Sequence, residues 1–304
     1  MEVVVTDARR TKNSIIFYII LTAALSSIFY ALVIHRSGGG RSPGSLILGL
    51  MWCPGISALV TRLAFQGNLR GLGLGWGQTK YQFASYWIPL AYSSVVYVPF
   101  WLAGYYDSNN RLLHALVRRF PNVPHAAAPL VVFSLLATAG VVGSCISALG
   151  EELGWRGFLV PQLAKVTSYP RVALISGVIW ALWHYPIILF ADYHGGGPLW
   201  YSIACFTAMV LGISFLFTWM RLRSGSVWTG VLLHASHNLF VQAFFDTQTR
   251  RARVIELWTT EFGAGLAIAA LVVAAIFYAK RDELPAQHLA ESALQNSSIA
   301  AAVG

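Results

Sequence analysis

Charge is what this sequence has least of. Only 11% of its 304 residues are Asp, Glu, Lys or Arg, 56% are hydrophobic, and the mean hydropathy is +0.59. A soluble domain carries about 25% charged residues, so the composition excludes one and indicates a polytopic membrane protein. Cysteine is nearly missing too. Cys53, Cys145 and Cys205 each sit in an apolar run, an odd number that supplies neither a disulfide framework nor a zinc spacing. No base lies beside any of them to lower its pKa, so they read as small buried hydrophobes and not as nucleophiles. A nucleic-acid motif and a repeat of 20–50 residues are also lacking. The net charge of +9 and the pI near 9.7 therefore point to loops beside anionic lipid.

What is present is a series of apolar runs. At about 20 apolar residues per crossing, eight spans are expected, roughly at 14–34, 46–66, 83–104, 128–150, 172–190, 199–220, 226–245 and 261–279. The fold class is an all-α membrane bundle of about eight transmembrane helices. It is expected to form one domain over 14–284, after a polar segment 1–13 and before a small, polar, flexible tail 285–304. The first run is too long for a signal-peptide core and reads as a retained helix. The linker 35–43 is rich in Gly and Ser, and the stretch 105–125 is long enough for a surface helix.

Eight spans put both termini on one side. That side holds Arg9, Arg10, Lys12, Arg70, Lys80, Arg156, Lys165, Arg171, Arg221, Arg223, Lys280 and Arg281, twelve cations. The other holds eight: Arg36, Arg41, Arg111, Arg118, Arg119, Arg250, Arg251 and Arg253. The count favours cytoplasmic termini and sets the cluster around Glu151 at the cytoplasmic end of the fourth span.

That cluster, Glu151-Glu152-Leu153-Gly154-Trp155-Arg156, ends a run from Ala128 to Leu149 that has no charge. An ionised group within a span costs about 2.5–3.5 kcal/mol near the centre, so such groups are paired, line a polar cavity or do chemistry. Glu152 and Arg156 are four apart, acid first, the favourable order for a helical pair. Glu151 is turned about 100° away and is left as the candidate general base. Span five carries Trp180-x-x-x-His184, and span seven carries His234-x-x-x-Asn238, whose two polar residues share one helix face. His237 lies on the other flank and reads as a packing or supporting residue. Each group also has a purely structural reading, as an interhelical polar clamp. Together they make the parts of a hydrolytic site: a unit that activates water and donors for an oxyanion. Glu151, His184 and His234 would equally serve as three zinc ligands with an open fourth position. H-E-x-x-H is absent.

These three motifs, Glu151-Glu152-x-x-x-Arg156, Trp180-x-x-x-His184 and His234-x-x-x-Asn238, resemble those of the CPBP intramembrane proteases. That family includes type II CAAX prenyl endopeptidases and lysostaphin-resistance-like proteins. The likeness covers roughly 131–240. It implies an intramembrane endopeptidase in which Glu151 and His184 activate water, His234 and Asn238 stabilise the oxyanion, and Glu152 and Arg156 order the site. It leaves a zinc ion at Glu151, His184 and His234 open. Where the family usually has Phe, this chain has Trp180, an exchange expected to touch packing and not chemistry. The implied partners are the lipid bilayer and a peptide or protein substrate, either a CAAX-type segment with a lipidated C-terminus or a leader peptide, cut near the cytoplasmic membrane face. No nucleic acid is expected. A non-proteolytic immunity or anchoring protein, or a transporter using the same residues as a proton relay, are the other readings.

Overall fold

In lipid a backbone amide has no water to bond, so an apolar segment must satisfy its N–H and C=O groups internally, as helix. The computed structural model describes residues 2–37, 44–108, 110–124 and 126–285, and all eight apolar runs fall on helix. The long elements are α1 (Glu2–Ser37), α2 (Gly44–Gln66) and α3 (Thr79–Phe100), then a short α4 (Arg111–Arg119). They are followed by α5 (Ala128–Leu163), α6 (Tyr169–Phe190), α7 (Leu199–Ser224), α8 (Trp228–His237), which continues as a π-helical stretch to Phe245, and α9 (Ala264–Ala279). The expected all-α membrane bundle is borne out.

Among the described residues, five helices are long and apolar enough to cross a bilayer: α1 over Ala8–Arg36, α2, α5, α6 and α7. The other three runs fall short for identifiable reasons. Helix α3 carries Pro89 and Pro99 and buries Gln82, Ser85 and Ser93. Helix α8 gives way to π geometry after 10 residues, and α9 has 16. Helix α1 runs without a break from Glu2, so from residue 2 the polar start is part of that helix. Linker residues 38–43 and all of the tail after Pro285 lie outside the described residues. The surface helix expected in 105–125 is α4. Asn110 caps it, its side chain accepting from the Leu112 and Leu113 N–H groups at 3.0 Å each, and Arg118 and Arg119 close its last turn.

Two sets of contacts define the ends of the bundle. At one end Gln82 reaches Ser226 (3.3 Å), the Val227 N–H donates to Gly73 O (2.8 Å), and the Trp219 indole donates to Lys280 O (2.9 Å). The Arg10 guanidinium meets the Phe65 carbonyl at this end as well. At the other, called here the loop end, the Asp107 N–H donates to Gln248 O (2.7 Å) and the Arg250 N–H to Tyr105 O (2.8 Å). The Tyr193 hydroxyl there donates to Glu261 (2.7 Å).

One expectation is corrected. The fourth span does not stop at Gly150. Helix α5 continues through a π-helical stretch, Leu153–Leu159, to Leu163. Glu151 is therefore about 18 Å of helix away from the end of α5, inside the bundle and not at its boundary. The continuation follows from packing. A Cβ on Gly154 would sit 2.5 Å from both Pro54 Cβ and the Tyr18 hydroxyl, so only glycine lets α5 approach α2 and α1 this closely. Of the cysteines, Cys53 and Cys205 are buried and all three are free thiols.

Candidate active site

Helix α5 delivers Glu151, Glu152 and Arg156 to the interior, all buried. A π-helical stretch begins directly after Glu152, and another begins at Asn238. Single π turns within α-helices are frequent at functional sites. Of the four such stretches among the described residues these two fall on the motifs, while Trp101–Tyr105 and Leu136–Gly140 do not.

The expected pair is present: Arg156 Nη1 is 2.9 Å from Glu152 Oε1. The same oxygen accepts from His234 Nδ1 at 3.0 Å, a link across 82 residues that spacing could not reveal. The Arg156 guanidinium lies over the faces of Trp180 and Phe217, 4.3 and 4.1 Å from their ring centres. Its backbone carbonyl accepts from Arg221 Nε at 2.7 Å. Helix α8 can come this close because residue 230 is glycine; a Cβ there would sit 2.7 Å from Glu152 Oε2.

Glu151 is equipped differently. Its Oε2 accepts from two indoles, Trp180 Nε1 at 2.9 Å and Trp155 Nε1 at 3.3 Å. No described residue donates to Oε1. The expectation that Trp180 affects packing alone is therefore overturned: its N–H bonds the carboxylate read as the base. Sequence reasoning missed this because the two residues are 29 apart and on different helices. The available signal was a tryptophan in place of a phenylalanine, since a buried indole N–H needs an acceptor.

His184 Nδ1 donates to the Trp180 carbonyl at 2.9 Å, and the ring packs edge-on to Trp183 with centres 4.9 Å apart. That bond leaves Nε2 of the neutral ring as an acceptor. The rings of His184 and His234 are 6.1 and 5.6 Å from the Trp180 ring. Glu151, His184, His234 and Arg156 thus all meet around one indole.

A cavity of about 1830 Å³ reaches from this group to the loop end. Glu151, Trp180, His184, His234 and Asn238 line its inner part, and Asp246, Arg250, Arg251 and Glu256 its outer part. A second polar cluster stands in its wall. Glu261 Oε1 accepts from His237 Nε2 (3.0 Å), while Oε2 accepts from the Tyr193 hydroxyl (2.7 Å) and Gln242 Nε2 (2.8 Å). The Tyr92 hydroxyl bonds His237 Nδ1. His237 is thus held by two partners, Tyr92 from behind and Glu261, and Glu261, Tyr193 and Gln242 are polar residues of the cavity that the motifs did not indicate. The one sequence signal for Glu261 is a carboxylate at the edge of the eighth apolar run.

The metal alternative fits this geometry poorly. Among the described residues, no three His, Cys, Asp or Glu side chains lie close enough together to hold one ion. Glu151, His184 and His234 surround Trp180 and do not converge on a common point at zinc-ligand range, about 2.0–2.2 Å. No step below is routed through a metal.

The fold and this cavity define an integral, multi-pass membrane protein with a buried polar site. Residues 133–240 match the family model of the type II CAAX prenyl endopeptidase Rce1-like proteins. Over 108 residues the chain is 29% identical to CAAX prenyl protease 2 of Methanococcus maripaludis, a stretch covering 34% of this chain and 40% of that protein. The chain thus matches less than half the length of this curated relative. The family match takes in all three motifs, and the resemblance to CPBP and type II CAAX proteases is borne out. Glu261 lies beyond it.

Proposed function

We propose that the chain is a membrane-embedded endopeptidase of the CAAX type. The observation that carries this reading is the pair of uncommitted acceptors, Glu151 Oε1 and His184 Nε2, in one cavity beside a histidine braced by a carboxylate. A water between them donates one O–H to Glu151 and the other to His184, which frees a lone pair for attack on a peptide carbonyl. Glu151 takes the proton as the C–O bond forms. His234, doubly protonated and braced at Nδ1 by Glu152, donates from Nε2 to the oxyanion, and the Asn238 amide donates beside it. Collapse breaks the C–N bond. The proton held by Glu151 passes to the leaving nitrogen, giving a carboxylic acid and an amine.

A peptide with a prenylated C-terminal segment suits the cavity, whose inner wall includes Phe206, Met209, Val210 and Ile213. The test uses purified protein in liposomes with a farnesylated CAAX reporter peptide and its unprenylated counterpart. Cleavage is expected to be faster for the farnesylated peptide and about a thousandfold slower with Glu151→Gln. Cleavage of neither peptide, or an unchanged rate with Glu151→Gln, sinks the reading.

The cavity opens opposite the end where Arg10 and Lys280 lie, so cytoplasmic termini and cleavage at the cytoplasmic face exclude each other. We assign the loop end to the cytoplasm and give up cytoplasmic termini. Two of the twelve cations on the terminal side, Arg156 and Arg221, are buried, so twelve against eight becomes ten against eight. The exposed Arg118, Arg119, Arg250, Arg251 and Arg253 near the mouth suit an anionic cytoplasmic leaflet. In a chain without Cys53, Cys145 and Cys205, a membrane-impermeant maleimide should label Arg70→Cys in intact cells and spare Arg251→Cys. The reverse pattern refutes this orientation.

A further inference from the structure

We propose that Trp180 is a positioning residue, whose indole N–H fixes which oxygen of Glu151 acts as the base. The inference rests on the proteolytic reading above and extends it to a residue read from sequence as packing.

Glu151 has two equivalent oxygens on a side chain with free torsions. Unless one oxygen is held, the other is not aimed at any one point. Trp180 Nε1 holds Oε2 at 2.9 Å, and Trp155 Nε1 reaches the same atom at 3.3 Å. Both donors fall on one oxygen, so Oε1 faces the cavity without competition. The indole itself has little freedom. Its face lies against the Arg156 guanidinium at 4.3 Å, Phe217 packs beside that guanidinium with its ring centre 5.5 Å from the indole, and the indole is buried. Arg156 is in turn held by Glu152, which braces His234. The carbonyl of Trp180 also holds His184 Nδ1. One residue therefore orients the base through its side chain and the partner histidine through its backbone. A phenylalanine keeps the ring contact and loses the N–H.

An isostere separates the two contributions. Benzothienylalanine at 180 replaces the N–H by sulfur and keeps the ring shape and the contact with Arg156. With the farnesylated reporter, kcat is expected to fall about tenfold with KM within about twofold, the scale of one hydrogen bond to a charged acceptor. Thermal stability should stay near that of the parent. Trp180→Phe should show the same fall in kcat, and the isostere at 155, the longer bond, a smaller one. In the Glu151→Gln background the isostere at 180 should cost little more, because the two changes remove one shared interaction. Full kcat with the isostere overturns the inference and returns Trp180 to packing. So does a loss confined to KM. If Glu151→Gln abolishes cleavage while the isostere keeps it, only this inference fails. If Glu151→Gln cleaves at the parent rate, the catalytic reading fails with it.

Discussion

Glu151 and Glu261 are buried carboxylates lining one cavity, and they are provided for in opposite ways. Glu261 has donors on both oxygens: His237 on one, Tyr193 and Gln242 on the other. Glu151 has both of its donors on a single oxygen, and both are neutral indoles. A carboxylate with every acceptor position engaged binds its own structure together and has nothing left for a water. One with a free oxygen is incomplete until something fills the cavity. The second carboxylate of the motif, Glu152, also takes both of its donors on one oxygen, but its Oε2 is buried and, unlike Glu151 and Glu261, it does not line the cavity. Its Oε1 joins Arg156 to His234, and it serves the site by bracing a histidine. Of the three, Glu151 alone both lines the cavity and keeps an oxygen to which no described residue donates, although all are glutamates at similar depth of burial.

The largest effect expected from this contrast is on folding. Arg156 is the permanent cation paired with Glu152, whose other partner on the same oxygen is His234. Arg156→Leu removes the permanent cation of this buried pair and leaves Glu152 with His234 alone, a change worth about 3–5 kcal/mol. Domains are stable by about 5–15 kcal/mol, so little monodisperse protein should survive extraction and size exclusion. Replacing both partners, Arg156→Leu with Glu152→Leu, should restore much of the yield, since hydrophobic isosteres of a buried pair are often tolerated. Cleavage should not return, because His234 has lost its brace. A single Arg156→Leu protein that unfolds at the parent temperature would break the distinction between bracing and acting groups.

How far the sequence reveals this arrangement depends on the range of each contact. The apolar runs are legible because each carries its own burial signal, and all of them fold as helix. The Glu152–Arg156 pair is legible because both groups lie on one helix, four residues apart. The three motifs can be read as parts of a site, since polar groups inside apolar runs need a reason. What the sequence hides is tertiary. Trp180 reaches Glu151 from another helix, and His234 reaches Glu152 across 82 residues. The length of α5 is hidden as well. Three glycines and a charge cluster after residue 149 look like a helix end, whereas packing against Pro54 and Tyr18 carries the helix on to Leu163. The side on which the cavity opens depends on where the segments 106–110, 191–198 and 246–263 meet, which no local pattern records.

A smaller effect tests the other half of the contrast. Glu261→Gln keeps the shape of the side chain but removes its charge and one acceptor. The new NH₂ group must face donors that previously met a carboxylate: the imidazole of His237, or the Tyr193 hydroxyl and Gln242 amide. Losing the charge-assisted bonds costs about 1.5–3 kcal/mol, which should lower the unfolding temperature in detergent by several degrees. Cleavage should change far less, about threefold at most, since none of the reacting groups is bonded to Glu261. Its nearest link to them is Tyr193, whose ring stacks on His184 with centres 6.4 Å apart. The two glutamine variants then separate along different axes: Glu151→Gln should fold like the parent and fail to cleave, and Glu261→Gln should cleave and unfold early. If cleavage falls as far with Glu261→Gln as with Glu151→Gln while the unfolding temperature holds, Glu261 is a chemical group, and engaged oxygens no longer distinguish structure from catalysis in this cavity.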